Sequence, residues 1–355
     1  MRKEYNRKID VIIPAYNVPE SIIFRCLSSI ACQTLIDDLE ITIVDDASDK
    51  EYVEGYKKVI GHFNERLKIN LLRYEINGGP GVARQYGIDH TNNGYMTFID
   101  ADDTLNGAFA LQALRNSIEM DKGNNIMSVG VFDEVHGSEL DNPDGPFLIP
   151  HEKDMVWMFG KLYRRSFVDK YDIKFHPTSR ANEDNGFNTI IRLIANDQEN
   201  IKLIPTHVYY WHENPNSITR ANDHQYSYGG SIRDSFYGFV ENMIYAIKEA
   251  KVRCPYNGNI TKWAVNTMVN IYQYYIEGYA MANEHAENNF KWCKRYYDEI
   301  FKDLENTISK EILAQHYGEV MRNSYLGDGP MNVIVPHIGL YEFLDALKDK
   351  VIEEE

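Results

Sequence analysis

Four times within the first hundred residues, a short apolar run rich in β-branched side chains stops at a cluster of polar residues. IDVIIP (9–14) leads into PAYN, ITIVDD (41–46) into DDAS, LKINLLRY (67–74) into NGGPG, and YMTFID (95–100) into DADD. Between these runs lie segments of helical period. In 20–32, Ile22, Ile23, Cys26, Leu27 and Ile30 share one face, and 50–63 and 80–90 also read as helices. Buried strands alternating with helices predict a mostly parallel sheet covered on both faces. Ligands bind such sheets beyond the carboxyl ends of the strands. The four polar clusters are therefore expected to form one site.

The pattern continues with a helix over 105–120, a strand over 126–132 (IMSVGVF) and a turn-rich loop, HGSELDNPDGP (136–146). Segments 161–170 and 182–195 read as helices, and IKLIPTHVYYW (201–211) as a late strand. From about 222 the character changes to long stretches with aromatic and aliphatic residues at helical spacing, such as WAVNTMVNIYQYYIEGYAM. The expected organisation is an α/β domain over 1–220, with halves 1–130 and 131–220, followed by a helical module over 221–355.

Composition narrows the class. The chain of 355 residues is 43% hydrophobic and 25% charged, as in ordinary soluble globular proteins. No apolar run approaches the ~20 residues of a membrane span, and the apolar segment after the basic N-terminus is too short for a signal peptide. Cys26, Cys32, Cys254 and Cys293 lack metal-site or disulfide spacing, which points to a reducing cytosol. A net charge of −16 argues against nucleic acid held on a broad basic face. The expected location is cytoplasmic. A peripheral contact with the inner face of a membrane, and an oligomer, stay open.

FIDADD (98–103) is the densest concentration of charge in the motifs. Like-charged carboxylates this close repel unless something positive lies between them. Mg²⁺ and Mn²⁺ prefer oxygen ligands and often bind through one or two carboxylates plus substrate phosphates. Asp100 and Asp102 suit that chemistry, while Asp103 offers a further oxygen or caps the helix that follows.

PAYN, VDDAS, NGGPGVAR and DADD, in this order and spacing, resemble the nucleotide-sugar half of the family 2 glycosyltransferases of GT-A (Rossmann-like) fold. GKLYRRSF (160–167), ANEDNGFN (181–188) and YYWHENPNSITR (209–220) resemble the acceptor half. The resemblance covers roughly the first 220 residues. It implies inverting, metal-dependent transfer of a sugar from a UDP-sugar to a glycan or other hydroxyl-bearing acceptor, with Mn²⁺ or Mg²⁺ as cofactor. It further implies that Pro14, Ala15, Tyr16 and Asn17 line the base pocket and that Asp46 accepts the uracil N3–H. Asn77, Gly78 and Arg84 would hold the base and phosphate side, and Asp100 with Ala101 the ribose side. Asp102, with Asp103 and His212, would hold the metal. Asp184 would be the general base, with Glu183 as the other candidate, or the pair only begins a helix. His212 would serve as a metal ligand, as a cation near the leaving group, or only as a surface histidine. Ser217, Thr219 and Arg220 would lie on a closing loop, and His176 and Arg180 on the acceptor side. A non-catalytic nucleotide-sugar scaffold and a nucleotidyltransferase are the competing readings. PAYN is a poor triphosphate cradle, and a scaffold has no need of an acceptor-side base.

Overall fold

The computed structural model describes residues 5–120, 124–137, 146–195, 200–213, 228–280, 286–305, 308–325 and 338–349. The chain divides into two compact units, 1–215 and 216–355, five residues before the boundary expected from sequence.

The first unit is built on a nine-stranded sheet of order β3-β2-β1-β4-β8-β6-β9-β5, with β7 paired to β6. β1 (Ile9–Ala15) lies between β2 (Leu39–Asp46) and β4 (Tyr95–Phe98), parallel to both. A central parallel strand with covered faces is mostly apolar, and β1 is buried along nearly its whole length, its one charge, Asp10, paired with Arg165 (3.0 Å). β3 (Lys68–Tyr74) is the edge strand and alternates between exposed and half-buried positions. Side chains from alternate positions of β1 and β2, including Val11, Ile13, Ile41 and Ile43, join the core formed with α1 (Glu20–Ala31), α2 (Lys50–Phe63) and α4 (Ala110–Glu119). The opposite face takes α3 (Pro80–Asp89) so closely that a Cβ on Gly87 would lie 2.5 Å from Ile12 Cγ2.

The second half of the sheet is mixed rather than mostly parallel. β6 (Met127–His136) runs parallel to β9 (Ile201–His212) but antiparallel to β7 (Phe147–His151) and β8 (Lys161–Arg164). Segment 161–170, expected as one helix, splits into β8 and α5 (Arg165–Tyr171), because KLY closes the sheet beside β4 before the helix begins. The helix expected from 105 starts at Ala110, since β5 (Thr104–Leu105) pairs with Tyr210 and Tyr209 of β9. β7 was not foreseen. Its Phe147, Leu148 and Ile149 are exposed, so the strand lacks the alternating burial that marks a strand in sequence.

An aromatic cluster seats α6 (Glu183–Ile194). Phe187 stacks on Phe175 at 4.2 Å between ring centroids, and Phe98 and Tyr163 meet Phe187 edge-on.

The second unit is helical, with α7 (Tyr228–Arg253), α8 (Asn259–Ala280) and α9 (Ala286–Tyr296). α9 continues through a π-helical turn, Tyr297–Phe301, into α10 (Lys302–Glu305), followed by α11 (Lys310–Tyr325) and α12 (Leu340–Asp349). No described helix is long and apolar enough to cross a membrane.

Candidate active site

The strand-end clusters are locked to one another by hydrogen bonds. Asn17, in the left-handed region at φ 50°, donates its amide to Ser48 Oγ (2.9 Å), and its side chain exchanges bonds with Asp49. Asp46 is buried, and its two carboxylate oxygens accept the backbone amides of Gly78 (2.7 Å) and Gly79 (2.8 Å). Asp46 shapes the NGG turn with both oxygens, and Asn77 adds a bond from its side chain to the Asp46 carbonyl (3.2 Å). Asp45, fully buried, pairs with Arg73 and accepts the Ser48 amide. Pro14 and Asn17 are half-buried, Ala15 is buried, and the Tyr16 ring stands open at 53% exposure. Gly79 is the position where the turn demands glycine: its φ is 86°, and a Cβ would meet Arg180 at 3.1 Å.

The DADD turn is clamped to β9. Asp103 is buried, its Oδ2 accepting from the Tyr209 hydroxyl (2.7 Å) and its Oδ1 from the His212 amide (2.8 Å). Tyr209 also accepts the Asp100 amide (3.1 Å). Both oxygens of Asp103 thus accept protein donors, which anchors the turn to β9. Burial raises its pKa well above the carboxylate range, reinforced by Asp102 and Asp100. Asp102 is half-buried, Ala101 buried, and the Asp102 carbonyl accepts from Arg25. His212 Nε2 contacts the Thr104 hydroxyl (2.9 Å), and burial with Arg25 nearby pushes its pKa down to about 4. That shift favours the neutral imidazole near pH 7.

Arg84 joins the two sides of the site. Its guanidinium is buried and donates to Glu183 (2.6 Å) and to Asp100 (2.6 Å). Arg84, expected from sequence on the base and phosphate side, here bridges α6 and the DADD turn. α3 approaches α6 this closely because residue 81 is glycine: a Cβ there would lie 2.9 Å from Glu183 Cγ. With Glu183 held by Arg84, Asp184 is left as the base candidate. It is buried, its Oδ1 accepts the Asn185 amide (2.7 Å), and among the described residues no ion pair reaches it. Burial, then the neighbouring Glu183, raises its pKa to about 8. Asn182 enters the helix in the left-handed region, at φ 59°, and the His176 ring accepts the Thr178 and Ser179 amides to fold the preceding loop. Arg180 donates to the Asn77 carbonyl (2.6 Å), a second tie between acceptor-side and donor-side loops.

Ser217, Thr219 and Arg220 lie outside the described residues. Sequence reasoning gave no role to Arg25 or to Tyr209, the first residue of YYWHENPNSITR; both hold the DADD turn across large chain separations, so no local spacing announces them.

Among the described residues no ready-made group of three His, Cys, Asp or Glu ligands exists. The residues nevertheless fit a hard divalent ion. Asp102 offers carboxylate oxygen in a crowd of carboxylates that raises the pKa of Asp103, and a cation shared with a diphosphate would relieve that crowding.

Residues 10–177 match the model of glycosyl transferase family 2. Glycosyltransferase EpsJ of Bacillus subtilis, described as uncharacterized, is 28% identical over 59% of this chain and 62% of its own length. A poly(ribitol-phosphate) beta-glucosyltransferase of Bacillus spizizenii is 27% identical over 68% of this chain and 37% of its own. The chain thus spans less than two thirds of these relatives. In fold, residues 1–349 of Staphylococcus aureus TarS in complex with UDP-GlcNAc align over 92% of this chain and 94% of that one, with a TM-score of 0.61 and 18% identity. The four strand-end clusters and the acidic turn thus fall inside the segment, residues 10–177, that matches glycosyl transferase family 2, while the acidic pair opening α6 and the β9 partners of the turn follow it.

Proposed function

We propose that the protein is an inverting, metal-dependent glycosyltransferase that moves a sugar from a UDP-sugar to an acceptor hydroxyl. The observation that carries this is Asp184, a buried carboxylate with a pKa raised to about 8, set one residue from the Glu183–Arg84–Asp100 bridge. A carboxylate whose pKa burial and the neighbouring Glu183 raise against the pull of Arg84 is the more basic for it, and in this reading it stands on the acceptor side. The UDP-GlcNAc bound to TarS and the glucosyltransferase name of the Bacillus spizizenii relative favour a UDP-sugar over other donors. The thiols Cys26, Cys32, Cys254 and Cys293 are free, which suits a cytoplasmic location.

In this reading the acceptor hydroxyl attacks the anomeric carbon while Asp184 takes its proton. The bond from that carbon to the diphosphate oxygen breaks, and UDP leaves with the electron pair from the opposite face. A divalent ion, when bound, supplies charge neutralisation at the departing diphosphate. Asp102 would hold it, with diphosphate oxygens completing its shell. Arg84 fixes the distance between the Asp100 turn and α6, so the donor loops and the base keep one geometry.

The test is release of UDP from UDP-glucose, UDP-galactose and UDP-GlcNAc, with Mn²⁺ or Mg²⁺ and with chelator. Metal-dependent release from at least one donor is expected. UDP-sugar binding with no release from any donor, under all conditions and with an acceptor panel, would leave a binding scaffold instead.

A further inference from the structure

We propose that Arg25 is a positioning residue for the metal site. By holding the Asp102 main-chain carbonyl, it fixes where the Asp102 carboxylate meets a divalent ion and the donor diphosphate. This role deepens the metal-dependent reading above and rests on it.

α1 grips the chain around the acidic turn at one contact per helical turn. Arg25, Ser29 and Gln33 follow at intervals of four residues, and their partners advance along the chain in step. The Arg25 guanidinium donates to the Asp102 carbonyl. Ser29 Oγ accepts the Leu105 amide (3.1 Å). Gln33, just past the end of α1, donates to the Gly107 carbonyl (2.8 Å) and accepts the Leu111 amide (3.2 Å). β9 holds the same turn through the Tyr209 hydroxyl on the Asp100 amide and the His212 amide on Asp103. Within the turn, the Asp103 amide donates to the Asp100 carbonyl (2.9 Å). Backbone fixed by two elements gives the Asp102 side chain one starting point, the preorganisation that a metal ligand needs.

Stability alone does not account for the arginine. Arg25 Nε is buried with no hydrogen-bond partner among the described residues, and a buried donor without a partner opposes folding. A methionine would fill much of the same space without that penalty. What the methionine lacks is a donor for the Asp102 carbonyl.

The place of α1 in the chain adds to this. The helix begins at Glu20, three residues after Asn17 of the PAYN loop, and Arg25 lies in its second turn. One rigid element therefore connects the loop proposed to face the base with the turn proposed to face the diphosphate. A nucleoside diphosphate must span that separation with both ends engaged, and Arg25 is the tie that sets it.

Arg25 acts on a bound cation in two opposing ways. Its charge repels the ion, while its hold on Asp102 places a ligand for it. Arg25 and Asp102 are both half-buried, so solvent screens the repulsion, whereas nothing screens the misplacement of a ligand oxygen. Positioning is the larger effect.

The experiment compares the full wild-type chain with Arg25→Met, which keeps the length without the donors, and with Arg25→Lys, which keeps a charge and a donor. Mn²⁺ affinity of the UDP-saturated chain is read from the electron paramagnetic resonance signal of free Mn²⁺, and UDP affinity in EDTA by calorimetry. Arg25→Met should bind Mn²⁺ about 10–100-fold more weakly than wild type. Its UDP affinity in EDTA should match wild type, since the base loop is untouched. Arg25→Lys should recover part of the lost Mn²⁺ affinity. Unchanged or tighter Mn²⁺ binding by Arg25→Met, or no recovery at all in Arg25→Lys, overturns the positioning role. Loss of UDP binding in EDTA by both variants makes Arg25 a residue of the fold and overturns it as well. Failure of wild type to bind UDP or Mn²⁺ overturns the function proposed above and this role with it, an outcome distinct from wild-type binding that Arg25→Met leaves intact.

Discussion

At the scale of single residues, the site turns on how each carboxylate is compensated. Asp46 and Asp103 are consumed by backbone amides and a tyrosine hydroxyl, and Asp100 and Glu183 share Arg84. Asp184 has no direct ion pair among the described residues, and burial with the neighbouring Glu183 favours its protonated form, which sets the first prediction. Asp184→Asn should cut transfer by about 10²–10⁴-fold while UDP affinity stays near wild type. Wild-type turnover should climb as pH rises through about 8, where the carboxylate ionises, and this limb should vanish in the variant. Stability follows the same raised pKa. Between the unfolded value near 4 and the folded value of about 8, the unfolded state releases the proton first, so the native state loses stability as pH rises. Asp184→Asn should therefore melt at a higher temperature than wild type at pH 8.5 and show no such gain at pH 3.5. A lower melting temperature at both pH values would make Asp184 a structural residue. At Asp102 the expectation differs: Asp102→Ala should abolish turnover and remove the metal dependence of UDP binding. Unchanged Mn²⁺-dependent UDP affinity by calorimetry would clear Asp102 of any metal role.

At the scale of elements, the close packing of α3 on α6 decides whether donor and acceptor sides meet. Gly81→Ala places a methyl 2.9 Å from Glu183 Cγ and 3.0 Å from its Cβ, so α6 must yield. The expected cost is about 1–3 kcal/mol of stability, together with a kcat loss that exceeds any change in UDP affinity. A variant as active and as stable as wild type would show that the contact is slack. What sequence could reveal of these elements follows from the range of the forces. The parallel core was legible because a central strand covered on both faces is mostly apolar, as 9–13 are but for Asp10 and 41–44 but for Thr42. β5, β7 and β8 were missed because two to five residues on mixed or exposed edges carry no period. The strand-end clusters were legible as a group, yet the partners within them were not. Arg84 reaches Glu183 across 99 positions, and that bridge depends on Gly81 letting two helices approach.

At the scale of the whole molecule, two units with separate interiors make a stronger demand. The helical unit has its own aromatic core, in which Phe343 of α12 is fully buried against Tyr272 and Tyr275 of α8 and Phe290 of α9. The Tyr272 hydroxyl closes the cluster by donating to the Ile338 carbonyl (2.7 Å). α8 packs against α7, α9 and α11, so most of its apolar surface is satisfied within the unit. A segment that buries its own aromatics folds alone, so residues 216–355 expressed separately should give a helical circular-dichroism spectrum and a single cooperative thermal transition. Phe343→Ala should lower the stability of that fragment by about 3–5 kcal/mol, the cost of an emptied ring site. The same substitution in the full chain should leave the UDP affinity unchanged, since the donor loops belong to 1–215. A fragment that melts without cooperativity would mean that 216–355 depends on the α/β unit to fold. A collapse of UDP affinity in full-length Phe343→Ala would mean that the donor loops depend on the helices.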